Sequence, residues 1–189
     1  NAECSECPRV KRIGEPYYSN YVDTHFLDLN IIKENFNNSI SPHLLEINFC
    51  GCWGDPLTHP EIVDILKHFV KEYPDISITI HTNGSLRTPH VYEEIADVLK
   101  DSYSGVIVWG LDGLEETNHI YRKNVVWEKV QNNFRAFNKA GGKSVWQFIV
   151  FPWNYHQIKE AKNRARKENF FGFTTKISFR DEHVRDELP

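Results

Sequence analysis

Cys4 and Cys7 form a Cys-x-x-Cys pair near the start of the chain, and Cys50 and Cys52 form a second close pair downstream. Thiolates so placed on one loop can present sulfur to a single metal centre. A lone pair admits half a zinc site, a redox dithiol, part of an iron-sulfur cluster, or two free thiols. Redox use lacks the strand-then-helix context of a thioredoxin-like motif. Zinc stays open, since Cys50 and Cys52 could in principle complete a tetrahedral four-sulfur set with Cys4 and Cys7. A further cysteine before Asn1 would turn the spacing into C-x-x-x-C-x-x-C. Four cysteines in two close pairs suit a reducing compartment and metal chemistry better than a disulfide scaffold, so a cytoplasmic location is expected.

The other polar candidates gather on short turns. Gly54-Asp55-Pro56, Thr82-Asn83-Gly84 and Leu111-Asp112-Gly113 each read alone as ordinary turn chemistry. What sets them apart is that each follows an apolar run of strand length. Strands are expected at 45–50, 76–82, 106–109, 145–151 and 174–179. Between them, Ile62, Ile65, Leu66, Phe69, Val70 and Tyr73 make one apolar stripe of helical period that ends before Pro74. Thr88-Pro89 supplies a cap and first residue for a helix over 91–100. Trp127, Val130, Phe134 and Phe137 mark a helix stopping at Gly141-Gly142, and Asn154 with Gln157 has the spacing of a capping pair for a helix carrying Ile158, Ala161 and Ala165. A further helix is expected over 22–36. His59 and His81 read as capping and strand-end packing, and Trp109, Trp127 and Trp146 as core.

Strands buried on both faces and joined by helices imply a parallel sheet, either open and doubly wound or a partial barrel. In both, ligands lie at the carboxyl ends of the strands, where the three turns above fall. At 189 residues, with 40% hydrophobic and 13% aromatic content, the chain suits one soluble domain. A net charge of −4, with both signs interspersed, gives no basic field for nucleic acid or an anionic membrane. No apolar run approaches the ~18 residues of a membrane span. The chain begins at Asn1 and contains no methionine, so it reads as a fragment. One domain is expected over 1–179, with 180–189 as the start of a C-terminal connection.

Taken together, Cys4, Cys7, Gly54-Asp55-Pro56, Asn83-Gly84, Gly110-Leu111-Asp112-Gly113 and Arg122 resemble, in order and spacing, the radical S-adenosylmethionine (SAM) enzymes. The likeness is greatest to the branch of peptide-modifying and cofactor-maturing enzymes with a C-terminal SPASM extension. The resemblance implies a partial parallel (β/α)6 TIM-like barrel, whose first strand is missing from this chain. It also implies a 4Fe-4S cluster held by Cys4, Cys7 and a cysteine before Asn1, and S-adenosyl-L-methionine as second cofactor.

On that resemblance, Asp55 accepts hydrogen bonds from the methionine amino group of SAM, and Gly54 with Pro56 shapes the turn that lets backbone approach it. Asn83 bonds the ribose, Arg122 holds the methionine carboxylate, Asp112 belongs to the same site, and Val150 lines the adenine pocket. An oxidoreductase-type reaction would draw one electron from a donor such as flavodoxin or ferredoxin and act on a peptide or small-molecule substrate. The chain also departs from the pattern. Glu6 replaces an aromatic or apolar residue, Trp53-Gly54-Asp55 replaces Gly-Gly-Glu, Gly110 stands where many relatives carry a serine that contacts SAM, and Cys52 is an extra thiol. A zinc-binding α/β domain without catalysis, or an iron-free TIM-barrel lyase or hydrolase, stays open as the alternative, although no lysine ends a predicted strand.

Overall fold

A single parallel sheet organises the chain. The computed structural model describes residues 2–4, 25–51 and 54–178. Its strands are β1 (Glu46–Phe49), β2 (Ser77–Thr82), β3 (Ser104–Gly110), β4 (Lys143–Val150) and β5 (Gly172–Ile177), and they pair in the order β1-β2-β3-β4-β5. Every neighbouring pair is parallel. The intervening helices are α1 (Leu29–Asn35), α2 (Ile62–Glu72), α3 (Pro89–Leu99), α4 (Asn118–Tyr121), α5 (Trp127–Lys139) and α6 (Ile158–Lys167). This is the strand-helix alternation of the partial barrel expected above.

Alternation of side chains across the pleat decides what each face of the sheet does. Ile78, Ile80, Ile107, Trp109, Trp146 and Phe148 point to one face and are fully buried. There they meet Ile65, Leu66 and Phe69 of α2, Tyr92, Ile95 and Ala96 of α3, and Phe134 and Phe137 of α5 in one core. The two central tryptophans are hydrogen-bonded inside that core. Trp109 Nε1 donates to Ser144 Oγ at 2.8 Å, and Trp146 Nε1 donates to the Leu111 carbonyl at 2.8 Å. The opposite face carries half-buried Thr79, His81, Val106, Val145, Gln147 and Ile149. Because all strands run the same way, their carboxyl ends open on one side of the molecule.

Several local expectations are altered by longer-range contacts. The helix expected over 22–36 is α1, which starts only after Asp28, whose Oδ1 accepts the Asn30 amide at 2.7 Å; residues 22–24 lie outside the described residues. Thr88 and Pro89 open α3 as expected, yet the Thr88 hydroxyl makes no capping bond. Asn154 and Gln157 do not cap α6. Asn154 Nδ2 instead donates to the Asp112 and Ile149 carbonyls, each at 2.9 Å, and Gln157 Oε1 accepts from the Leu114 amide at 3.2 Å and from the Thr117 hydroxyl. They staple the end of β4 and the start of α6 to the loop after β3. Among the described residues no helix is long and apolar enough to cross a membrane.

Candidate functional site at the strand ends

The carboxyl ends of β1 to β4 surround a cavity of about 190 Å³, whose walls include Cys4, Gly54, Asp55, Asn83, Gly110 and Arg122. Six separate segments of sequence converge there.

The turn after β1 places Asp55 at the cap of a short 3-10 helix, Pro56–Thr58. Asp55 Oδ1 accepts the Leu57 amide at 3.0 Å, which caps that turn. Its Oδ2 reaches across to the end of β2, accepting from Thr82 Oγ1 at 2.8 Å and from the Asn83 amide and Asn83 Nδ2 at 2.9 Å each. Asn83 Oδ1 in turn accepts from the Ser85 amide at 3.0 Å and Ser85 Oγ at 2.6 Å. The Asp55 carboxylate therefore ties the turn after β1 to the turn after β2. Burial pushes its carboxyl above the usual range, while these donors oppose the shift by favouring the charged form. Hydrogen bonds to a charged group contribute about 1.5–3 kcal/mol apiece where the donors are buried. Gly54 sits just before this lock, and a Cβ built on it would meet no heavy atom within 4 Å. The space belongs to the cavity, so a ligand can approach the backbone there.

The loop after β3 builds the opposite wall. Asp112 is fully buried; its Oδ2 lies 2.6 Å from Arg122 Nε and its Oδ1 accepts the Ile149 amide at 2.7 Å. Its own amide donates to Asn118 Oδ1 at 2.9 Å. Asp112 is thus a fixed anchor on which Arg122, the C-terminal cap of α4, is oriented. Arg122 Nη1 extends to Cys4 Sγ at 3.7 Å, and its Cζ lies 5.2 Å above the centre of the Tyr121 ring. Burial disfavours the guanidinium charge, but Asp112 foremost, then Cys4 and Tyr121, more than offset it, so Arg122 stays charged. For Asp112, burial pushes the carboxyl up and Arg122 pulls it back.

Of the residues that the resemblance joins in one site, the structure brings Cys4, Gly54, Asp55, Asn83 and Arg122 to one cavity. Three others are placed differently. Val150 does not line the cavity: the two-residue alternation of β4 sends Trp146, Phe148 and Val150 into the helix-facing core, and gives the opposite face to Gln147 and Ile149. Pro56 is the first residue of the 3-10 turn, and Asp112 stands behind Arg122; neither lines the cavity. Asp55 and Asn83 hold each other, so neither side chain stands as an isolated arm aimed at a ligand. Conversely, His81 and Gln147 line the cavity, and only the alternation of β2 and β4 could have signalled it. His59 behaves as expected of a turn residue, with Nε2 2.9 Å from the Leu27 carbonyl and Nδ1 accepting the Glu61 amide at 3.1 Å. Cys7, Glu6, Cys52 and Trp53 lie outside the described residues, as does 180–189. Among the described residues no group of His, Cys, Asp or Glu is assembled that would hold a metal ion by itself.

Comparison with known proteins gives a consistent answer. No curated protein matches the chain. Among solved structures, anSMEcpe with bound AdoMet and the Cp18Cys peptide superposes with a TM-score of 0.70 at 14% identity, over 94% of this chain and 47% of that one. Streptococcus suis SuiB bound to precursor peptide SuiA gives 0.69 at 18% identity, over 94% and 36%. TYW1 with a lysine-pyruvate adduct bound gives 0.55 at 14% identity, over 79% and 47%. The chain thus spans roughly a third to a half of these longer proteins and shares their fold. The family model for the radical SAM superfamily matches residues 14–168, the greater part of the sequence, and includes the turns that carry Asp55, Asn83 and Arg122. This chain belongs to the radical SAM superfamily.

Proposed function

We propose that the strand-end cavity is the cofactor site of a radical SAM enzyme, and that Cys4 and Cys7 are two of the thiolate ligands of a 4Fe-4S cluster. The observation that carries this reading is the convergence of Cys4, Gly54, Asp55, Asn83 and Arg122, distant in sequence, on one cavity. Of the two proposed cluster ligands, Cys4 alone is among the described residues, and the rest of the wall supports a SAM site. Cys4 is 6% exposed at the cavity wall, Gly54 leaves open space beside the backbone, and Arg122 presents a held guanidinium for a carboxylate. When bound, the cluster and SAM would supply one-electron radical chemistry for hydrogen abstraction from an unreactive carbon.

The chain's own residues bind and orient. Arg122, fixed by Asp112, would hold the methionine carboxylate at little cost in ordering entropy, because the side chain is already immobilised. Asp55 sets the distance between the turns after β1 and β2, so that Gly54 and Asn83 face the cavity at a fixed separation. His81 and Gln147, on the face opposite the core, lie at the cavity wall where a substrate would meet the cofactor. A peptide is the substrate class we favour, supported by the peptides bound in the anSMEcpe and SuiB structures. A one-electron donor such as flavodoxin or ferredoxin completes the system.

The test is anaerobic reconstitution of the full-length protein with iron and sulfide, followed by metal analysis and equilibrium binding of SAM. About four irons per chain with a brown chromophore, and SAM bound, are expected. Stoichiometric zinc without iron would reject the reading. Asp55→Ala should keep the iron and lose at least tenfold in SAM affinity, because the two turns part; unchanged affinity would reject its role.

A further inference from the structure

We propose that Arg122 is a positioning residue for the Cys4 sulfur, donating an N–H···S bond that raises the reduction potential of the proposed cluster, and that Gly110 makes room for it. The inference rests on the reading of Cys4 as a cluster ligand. It concerns a different property from SAM binding.

The geometry comes from three sides. The segment bearing Cys4 is docked beside the end of α4: the Glu3 amide donates to the Lys123 carbonyl at 3.1 Å, and Cys4 packs with Tyr121 and Phe151. Arg122 cannot swing away from the sulfur, because Nε is held 2.6 Å from Asp112 Oδ2 while Nη1 points to Cys4 Sγ at 3.7 Å. The third side is the end of β3. A Cβ built on Gly110 would lie 2.5 Å from Arg122 Nη2 and 3.1 Å from Cζ. Any side chain there would push the guanidinium off its present line, so the glycine and the arginine position are matched.

The consequence follows from charge. Adding one electron from a reductant to a cluster makes it more negative, and hydrogen bonds and positive charge at its sulfurs stabilise that state. Arg122 supplies both at a sulfur that is nearly shielded from water, where electrostatic effects are strengthened. Only a forked donor bonds Asp112 through Nε and Cys4 through Nη1 at once; a lysine ammonium is a single point charge on a flexible stem.

The experiment is a potentiometric titration of the reconstituted full-length protein without SAM, followed by electron paramagnetic resonance of the reduced cluster. Arg122→Gln should move the midpoint potential to more negative values, and Arg122→Lys should recover part of the shift. Gly110→Ser, which keeps both Arg122 and Asp112, should shift it in the same direction as Arg122→Gln, and it decides the matter if the glutamine variant does not fold. A normal cluster whose midpoint is the same in wild type and all three variants would overturn this inference and leave the proposed function standing. Absence of any cluster in the wild type would overturn both.

Discussion

Asp112→Ala is the perturbation whose size is most directly worked from the structure. The carboxylate is fully buried, and its two oxygens have separate duties: Oδ2 pairs with Arg122 Nε at 2.6 Å and Oδ1 accepts the Ile149 amide at 2.7 Å. Truncation leaves a guanidinium that is only 18% exposed without its counter-charge, and leaves the Ile149 N–H without its acceptor. Breaking a buried pair from one side costs about 3–5 kcal/mol. An orphaned buried amide costs about 1–3 kcal/mol. These costs overlap, and Arg122 borders a cavity that water can enter, so the sum lies near the lower end, about 3–4 kcal/mol. With a urea m-value of ~2 kcal/mol/M, the midpoint of unfolding should fall by roughly 1.5–2 M. A doubly apolar replacement, Asp112→Leu with Arg122→Met, should recover most of that loss, because no buried charge is then left alone. Urea unfolding followed by circular dichroism reads all three chains. A loss below ~1 kcal/mol for Asp112→Ala, or a double variant less stable than the single, would refute the view that Asp112 anchors Arg122.

Glu168 accepts from Arg135 Nε at 2.9 Å and Nη2 at 2.6 Å and from Arg164 Nε at 3.0 Å, and these partners, Arg135 first, hold its carboxyl below the usual glutamate range. Because the folded value is depressed, the stabilisation is present above the ordinary glutamate pKa of ~4.3 and is lost as pH falls through the folded value. Glu168→Gln should therefore cost ~0.5–1 kcal/mol at pH 7, in a gap that closes on acidification; a gap independent of pH would contradict the pairing. Asn133 is fully buried and its Nδ2 donates to the Gly84 carbonyl at 2.7 Å and the Leu86 carbonyl at 3.1 Å, fixing the turn that follows Asn83. Asn133→Ala should cost about 1–3 kcal/mol in unfolding free energy, and a loss under ~0.5 kcal/mol would show that the turn holds itself.

The elements were legible in the sequence because their signals are local. A strand followed by an amphipathic helix repeats along the chain, and the three polar turns fall at strand ends, which is where a parallel sheet puts its ligands. What was not legible depends on phase or on distant contacts. Val150 and Gln147 differ only in which face of β4 they take, and an apolar run buried on both sides does not declare its phase. Asp55 reads as a ligand-binding carboxylate until the fold brings Asn83, 28 residues away, onto its oxygen. Asn154 and Gln157 have the spacing of a cap, but buried backbone groups of another loop claimed their side chains. The match between Gly110 and Arg122 is invisible without coordinates, since nothing in the sequence says that a guanidinium fills the place of the missing side chain.

The central claim is that the strand-end cavity supports radical SAM chemistry, and one measurement addresses it without knowledge of the substrate. The reconstituted full-length protein is incubated anaerobically with SAM and a strong reductant, and the products are separated by liquid chromatography with mass detection. Formation of 5′-deoxyadenosine and methionine, abolished by Cys4→Ala and sharply reduced by Arg122→Gln, is the result expected. An intact 4Fe-4S cluster that yields no 5′-deoxyadenosine under these conditions would contradict it.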